Sequence, residues 1–314
     1  MLMKHTRKNI LTLCLSLGLA VSFPASADDL DVLGQFLEQN YPTEKDPIGN
    51  FIAENPAQQI EMQAAAAGPL LASQSALIMN NKTGEILFQK NVNRVMPIAS
   101  ISKLMSAMVV LDGGQSMNDE ITITEDEIDH KKGTSSRLPV GTTLTRGQLL
   151  HLSLMSSENR ATHALGRSYP GGINAFVAEM NKKAQSLGMT HSRFYEPTGL
   201  DYRNVSTASD LSKMVAAASR YPKIRQLSTS TYGSVYTGSG RQNYKNSNAL
   251  VREGSWNIEL QKTGYIRESG RSMVVKANVQ NQPVTIILLN SPTSATRVND
   301  AHRIESWMHQ QRPS

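Results

Sequence analysis

The sequence predicts a mixed α/β domain in which one antiparallel sheet is flanked by helices and carries an inserted all-helical lobe. Three observations predict it. Short apolar strand patterns occur near residue 76 and again after residue 258, helical patterns fill the interval between them, and a last helical pattern follows the final strands. Strands at both ends with helices in the middle fit one sheet completed from both sides of the chain.

Ahead of that domain, Lys4, Arg7 and Lys8 precede an apolar stretch from Ile10 to Val21, and Ala25-Ser26-Ala27 offers a small-residue cleavage site. Residues 1–27 therefore read as a secretory signal peptide, too short in its apolar run for a membrane span. A periplasmic location is expected for the mature chain. The sole cysteine, Cys14, falls inside the leader, so the mature chain is expected to hold no thiol. About half of the net charge of +6 leaves with the leader, and the small remainder argues against a nucleic-acid partner. Residues 28–72 have polar patches, Pro42, Pro47, Pro56 and Pro69 and the run Ala64 to Ala67, the composition of an extension or linker. Residues 73–314 form the expected domain, with the helical lobe at about 115–225.

Within the domain, Ala76 to Met79 and Glu85 to Phe88 are strands joined by the turn residues Asn80 to Gly84, a hairpin. A helix opens at about Ser100, with Leu104, Met105, Met108 and Leu111 at helical spacing, and stops at Gly113-Gly114. Helical signals dominate from Thr145, a cap, to Tyr221, including a long segment from Gly172 closed by Gly188. Strands return at Ile258 to Gln261, Ser272 to Val279 and Val284 to Leu289, with Asn281-Gln282 turning between the last two. The last helix spans about Arg297 to His309.

Three short motifs carry chemistry. Ser100 and Lys103 are three apart on a helix and share a face, so the amine can reach the hydroxyl and take its proton. The helix start adds free N–H groups and a positive dipole end that favour a developing alkoxide. Alone the pair is weak, since about one such spacing arises by chance in a chain of this size. Ser157-Glu158-Asn159 sits between two helical patterns, where a hydroxyl and an amide can face one cleft or simply cap a helix. Lys262-Thr263-Gly264 lies in a strand pattern, where the lysine supplies charge, the threonine a hydroxyl for a carboxylate, and the glycine room for a backbone to lie along the strand. A second copy, Lys82-Thr83-Gly84, falls in the polar hairpin turn and belongs to turn chemistry.

Taken in order, these motifs resemble the signature set of the penicilloyl-serine transferase superfamily. The stretches Arg94 to Gly113, Leu149 to Ala164, Leu187 to Leu200 and Leu260 to Gly264 are similar to low-molecular-mass D-alanyl-D-alanine endopeptidases of the penicillin-binding protein 7 type. The resemblance covers essentially everything after Ser73 and not the extension. It implies a β-lactamase/transpeptidase-like fold and a serine peptidase acting on peptidoglycan peptides, needing no metal and no cofactor, acylated by β-lactam antibiotics and at most loosely associated with membrane. It implies that Ser100 is the nucleophile, Lys103 the base of acylation, Ser157 and Lys262 a proton path to the leaving amine, and Asn159 a substrate-orienting group. Thr263 would bind the substrate carboxylate, and the N–H groups of Ser100 and Tyr265 would form the oxyanion hole beside Gly264. Arg297 lies where related carboxypeptidases carry a carboxylate-binding arginine, or else it is a surface charge opening the last helix. The segment Tyr265 to Gly270 departs from the small residues usual before that glycine. Competing expectations are a D-alanyl-D-alanine carboxypeptidase, a class A β-lactamase, for which Glu196-Pro197-Thr198-Gly199 does not reproduce the deacylating loop, and a non-catalytic wall-binding module.

Overall fold

The computed structural model describes residues 68–311. The signal-peptide segment and residues 28–67 of the expected extension lie outside the described residues.

The chain opens with the hairpin β1 (Ser75–Asn80) and β2 (Ile86–Lys90), then β3 (Met96–Pro97), a 3₁₀ turn at Ala99–Ile101 and helix α1 (Ser102–Asp112). Strands β4 (Glu120–Thr122) and β5 (Thr143–Thr145) precede α2 (Arg146–Met155), α3 (Asn159–Arg167), α4 (Gly172–Ser186), β6 (Val205–Ser206), α5 (Ala208–Ala218) and α6 (Pro222–Ser228). A hairpin of β7 (Tyr232–Tyr236) and β8 (Arg241–Lys245) and the short α7 (Ala249–Glu253) lead to β9 (Asn257–Ile266), β10 (Gly270–Val279), β11 (Gln282–Ser291) and α8 (Ser294–Gln310).

The main sheet has the order β2-β1-β11-β10-β9, each neighbour antiparallel. The expected antiparallel sheet completed from both sides is therefore present, and β9 forms one edge. Alternation along the strands separates two cores. Leu77, Val274 and Ile287 face the helical side, while Ile78, Met273, Val275 and Ile286 face the other. Val298, Ala301, Ile304 and Met308 of α8, spaced three or four apart, cover that second face. On the helical side, α1 is buried on all sides, with nine of its eleven residues enclosed, which makes it the central post of the lobe.

Local chemistry explains the boundaries. Thr145 caps α2 in a capping box with Gln148, Thr293 caps α8 with Thr296, and Gly188 at φ 69° follows the end of α4. The last helix starts three residues before Arg297 because Thr293 supplies its cap. Gln280 and Asn281, at φ 50° and 60°, make the β10–β11 turn, one residue earlier than expected. The β7–β8 hairpin has no counterpart among the expected elements. Before β1, Leu71 is buried, and Asp300 of α8 accepts from the Ala72 and Ser73 N–H groups and the Ser73 hydroxyl at 2.9, 2.8 and 2.7 Å.

Candidate active site

Ser100 lies in the 3₁₀ turn, and Lys103 in the first turn of α1. Lys103 is fully enclosed, and its Nζ lies 2.7 Å from Ser100 Oγ, 2.8 Å from Asn159 Oδ1 and 2.8 Å from the Thr198 carbonyl oxygen. Burial pushes its ammonium down to about 7, with the negative charges of Glu196 and Glu158 holding it partly up. A neutral amine has two N–H donors and one lone pair. With Asn159 Oδ1 and the Thr198 carbonyl accepting the two donors, the lone pair is left for the Ser100 hydroxyl.

Backbone geometry at four positions holds this arrangement. Ala99 has φ 47° and Ser157 φ 65°, left-handed values that cost non-glycine residues energy and persist only where the surroundings fix them. A Cβ at Gly199 would sit 1.9 Å from the Ala99 carbonyl oxygen, so the loop after Glu196 closes on the nucleophile turn as no other residue would allow. A Cβ at Gly264 would lie 2.9 Å from the Ile98 carbonyl oxygen and 3.2 Å from the Ser100 nitrogen, so β9 runs directly beside Ser100.

Ser157 and Asn159 flank Glu158, which caps α3 by accepting from the Arg160 N–H at 3.3 Å. Both roles open to this segment, cleft and cap, are thus realised in different residues. Lys262 on β9 is fully enclosed, with Nζ 2.9 Å from Ser157 Oγ and donating to the Thr263 carbonyl at 2.8 Å. Burial, then the nearby charges of Lys103 and Arg297, hold its ammonium well below the ordinary lysine range. The Thr263 hydroxyl is 2.7 Å from Ser247 Oγ. Ser100, Asn159, Thr263, Gly264, Tyr265 and Arg297 all line one open cleft. Arg297 is 5 % exposed and donates to the Ser272 carbonyl at 3.4 Å, so it is no surface charge. By contrast, Lys82-Thr83-Gly84 is an exposed turn in which Asn80 Oδ1 accepts from the Lys82 and Thr83 N–H groups.

The sequence motifs do not include Thr198, Ser135, Arg137, Leu200, Ser247 and Arg271, which complete the cleft or the lysine's surroundings. The turn-forming run Thr237-Gly238-Ser239-Gly240 between two tyrosine-bearing segments was the available signal for the hairpin that precedes Ser247. Glu196 accepts from Thr198 N, Thr198 Oγ1 and Gly199 N. It therefore organises the loop whose carbonyl meets Lys103, and it is not free to activate water. Among the described residues, no helix is long and apolar enough to cross a membrane, and no cluster of three or more His, Cys, Asp or Glu is placed to hold a metal ion.

The sequence and the fold have known counterparts. The family D-alanyl-D-alanine carboxypeptidase matches residues 61–293. A D-alanyl-D-alanine endopeptidase of Pseudomonas aeruginosa is 42% identical over 76% of this chain and 77% of its own length. Its namesake in Escherichia coli is 40% identical over 77% and 79%. Among solved structures, a DD-transpeptidase from Streptomyces superposes with a TM-score of 0.72 at 26% identity, covering 78% of this chain and 99% of its own. A cefotaxime-bound penicillin-binding protein from Listeria monocytogenes gives 0.66 at 27% identity, covering 76% and 97%. The chain belongs to the D-alanyl-D-alanine carboxypeptidase family of serine peptidases.

Proposed function

We propose that the protein is a periplasmic D-alanyl-D-alanine endopeptidase that opens D-alanyl-diaminopimelate crosslinks in peptidoglycan through an acyl-enzyme on Ser100. The observation that carries this is Lys103, sealed from water and directed at Ser100 Oγ at 2.7 Å. As Ser100 Oγ attacks the D-alanyl carbonyl, its proton passes to the Lys103 lone pair. The oxyanion is received by the N–H groups of Ser100 and Tyr265. Collapse breaks the C–N bond while Ser157, bonded to Lys262, delivers a proton to the leaving amine. Water then adds to the ester carbonyl as its proton restores the Ser157–Lys262 pair that supplied the leaving amine, and the ester C–O bond breaks as Lys103 returns its proton to Ser100. Asn159 orients the acyl group, and Thr263 with Arg297 holds the free carboxylate of the leaving diamino acid. β-Lactams acylate Ser100 in the same way and deacylate slowly. The two relatives named as endopeptidases, each matched over about three quarters of this chain, support the endopeptidase over the carboxypeptidase reading.

The test compares kcat/KM for a crosslinked muropeptide dimer with that for monomeric pentapeptide, with Ser100→Ala as the blank, since that ratio measures discrimination at the transition state. The dimer should be preferred, and Ser100→Ala should lose both cleavage and labelling by a fluorescent penicillin. A preference for pentapeptide makes the protein a carboxypeptidase.

A further inference from the structure

The cleft has two ends along β9. Thr263 and Tyr265, two residues apart on a strand, point to the same side and stand about 6.7 Å apart. Gly264 between them abuts Ser100. A peptide laid along this edge with its leaving-side carboxylate at Thr263 and Arg297 places its scissile carbonyl at Ser100. Its acyl portion then runs toward Tyr265. There β10 contributes Arg271, the direct cross-strand partner of Tyr265, just as Met273 is the partner of Thr263. The Arg271 guanidinium lies over the Tyr265 ring, its central carbon 3.6 Å from the ring centroid, and both side chains line the cleft and are half-buried.

We propose that Arg271, held flat on Tyr265, recognises a carboxylate on the acyl side of the scissile bond, that of a diamino-dicarboxylic residue preceding the D-alanyl group. The assignment rests on the substrate direction given under Proposed function. A guanidinium stacked by its face keeps its N–H groups in the plane, where a carboxylate can be met edge-on. Stacking fixes the side chain in advance, so less rotamer freedom is lost when the ligand arrives. Arg137 is a weaker choice, because it belongs to neither β9 nor β10 and stacks instead on Tyr244 of the β7–β8 hairpin, 4.4 Å from that ring's centroid. Arg297 is taken by the leaving side. The cleft thus carries a cation beyond each end of the reacting bond, which suits a peptide bearing a carboxylate on both sides of it.

The experiment uses the purified enzyme and two crosslinked dimers, one with the acyl-side diamino-acid carboxylate free and one with that carboxylate amidated, the leaving-side carboxylate being free in both. The wild-type kcat/KM ratio of acid to amide should be about tenfold, the scale of one charge-assisted pair. Arg271→Leu should bring the ratio close to one, and Arg271→Lys should leave it between the two. Because the quantity is a ratio on one enzyme sample, partial misfolding of a variant scales both rates and leaves the ratio alone. A wild-type ratio near one, or an unchanged ratio in Arg271→Leu, overturns the assignment. Wild-type enzyme that is labelled by penicillin yet cleaves neither dimer overturns the endopeptidase reading itself, and this assignment with it.

Discussion

A lysine enclosed by protein can serve as a base only if its remaining N–H bonds have acceptors, and for Lys103 these are Asn159 Oδ1 and the Thr198 carbonyl. The first was legible, because the Ser157-Glu158-Asn159 spacing marks it. The second was not, since a backbone carbonyl 95 residues away leaves no pattern in sequence. The same holds for Glu196, whose charge opposes the burial that lowers Lys103 to about 7. Acylation should therefore rise as pH increases through about 7, as Lys103 loses its proton. Removing the charge in Glu196→Gln takes away a group that favours the ammonium, so the acid limb should move to lower pH. The maximal rate should also fall, because the glutamine amide cannot accept from all of the loop donors that the carboxylate satisfies. Second-order penicillin acylation rates between about pH 5 and 9 check this. A limb that stays put or moves upward contradicts it.

At the scale of elements, the expected strands and helices around the motifs are present because their signals are local: the apolar run Ala76 to Met79 in β1, the cap at Thr145, alternation over Val275 to Val279 in β10 and the apolar run Ile286 to Leu289 in β11. Strand β9 runs past both the apolar pattern at Ile258 to Gln261 and the Lys262-Thr263-Gly264 motif already placed in a strand, reaching Ile266, and its buried polar residues are partnered inside the protein. Gln261 Nε2, for example, donates to the Ser228 carbonyl at 2.7 Å and to Asn246 Oδ1 at 3.0 Å. Hydrophobic pattern cannot reveal a buried polar strand. The two glycine-bearing loops make the contrast testable. Gly84 has φ 76° with open space around it, whereas Gly199 has φ 87° and the Ala99 carbonyl in the way. Gly84→Ala should cost about 1 kcal/mol of stability, the left-handed penalty alone, and leave penicillin labelling intact. Gly199→Ala should cost several times as much, about 3 kcal/mol or more, and abolish labelling, since Ala99 and with it Ser100 must shift. Urea midpoints together with labelling decide the matter. Equal behaviour of the two variants would refute the packing account of the nucleophile turn.

Across the whole molecule, the joining of the early hairpin and the late strands in one sheet was foreseeable because β1 has to pair somewhere and the late strands are its apolar complements, while the strand order and the Asp300 contacts that fasten the chain before β1 to α8 were not. Among the described residues, Lys103 and Lys262 are enclosed amines, both lowered from the ordinary lysine value of 10.5. For Lys103 the native value is about 7, so between about 7 and 10.5 the unfolded chain binds more protons than the native one. Stability attributable to this group therefore rises with pH across that window, and below it the penalty is constant. Lys262 acts in the same direction. Lys103→Met should abolish acylation and yet stabilise the fold at pH 7 by about 2 kcal/mol, the relief of several kcal/mol of desolvation being offset by acceptors left unsatisfied. Urea titrations should show the gain disappearing by about pH 10, and a gain independent of pH would contradict the cause given. Lys103 makes the cooperative transition a proton-consuming reaction at about pH 8.5, since it recovers in water the proton it lacks in the native protein, and Lys262 acts in the same direction. The calorimetric heat of unfolding then includes the ionisation enthalpy of whatever buffer supplies those protons, and phosphate and Tris should return different values for one and the same protein.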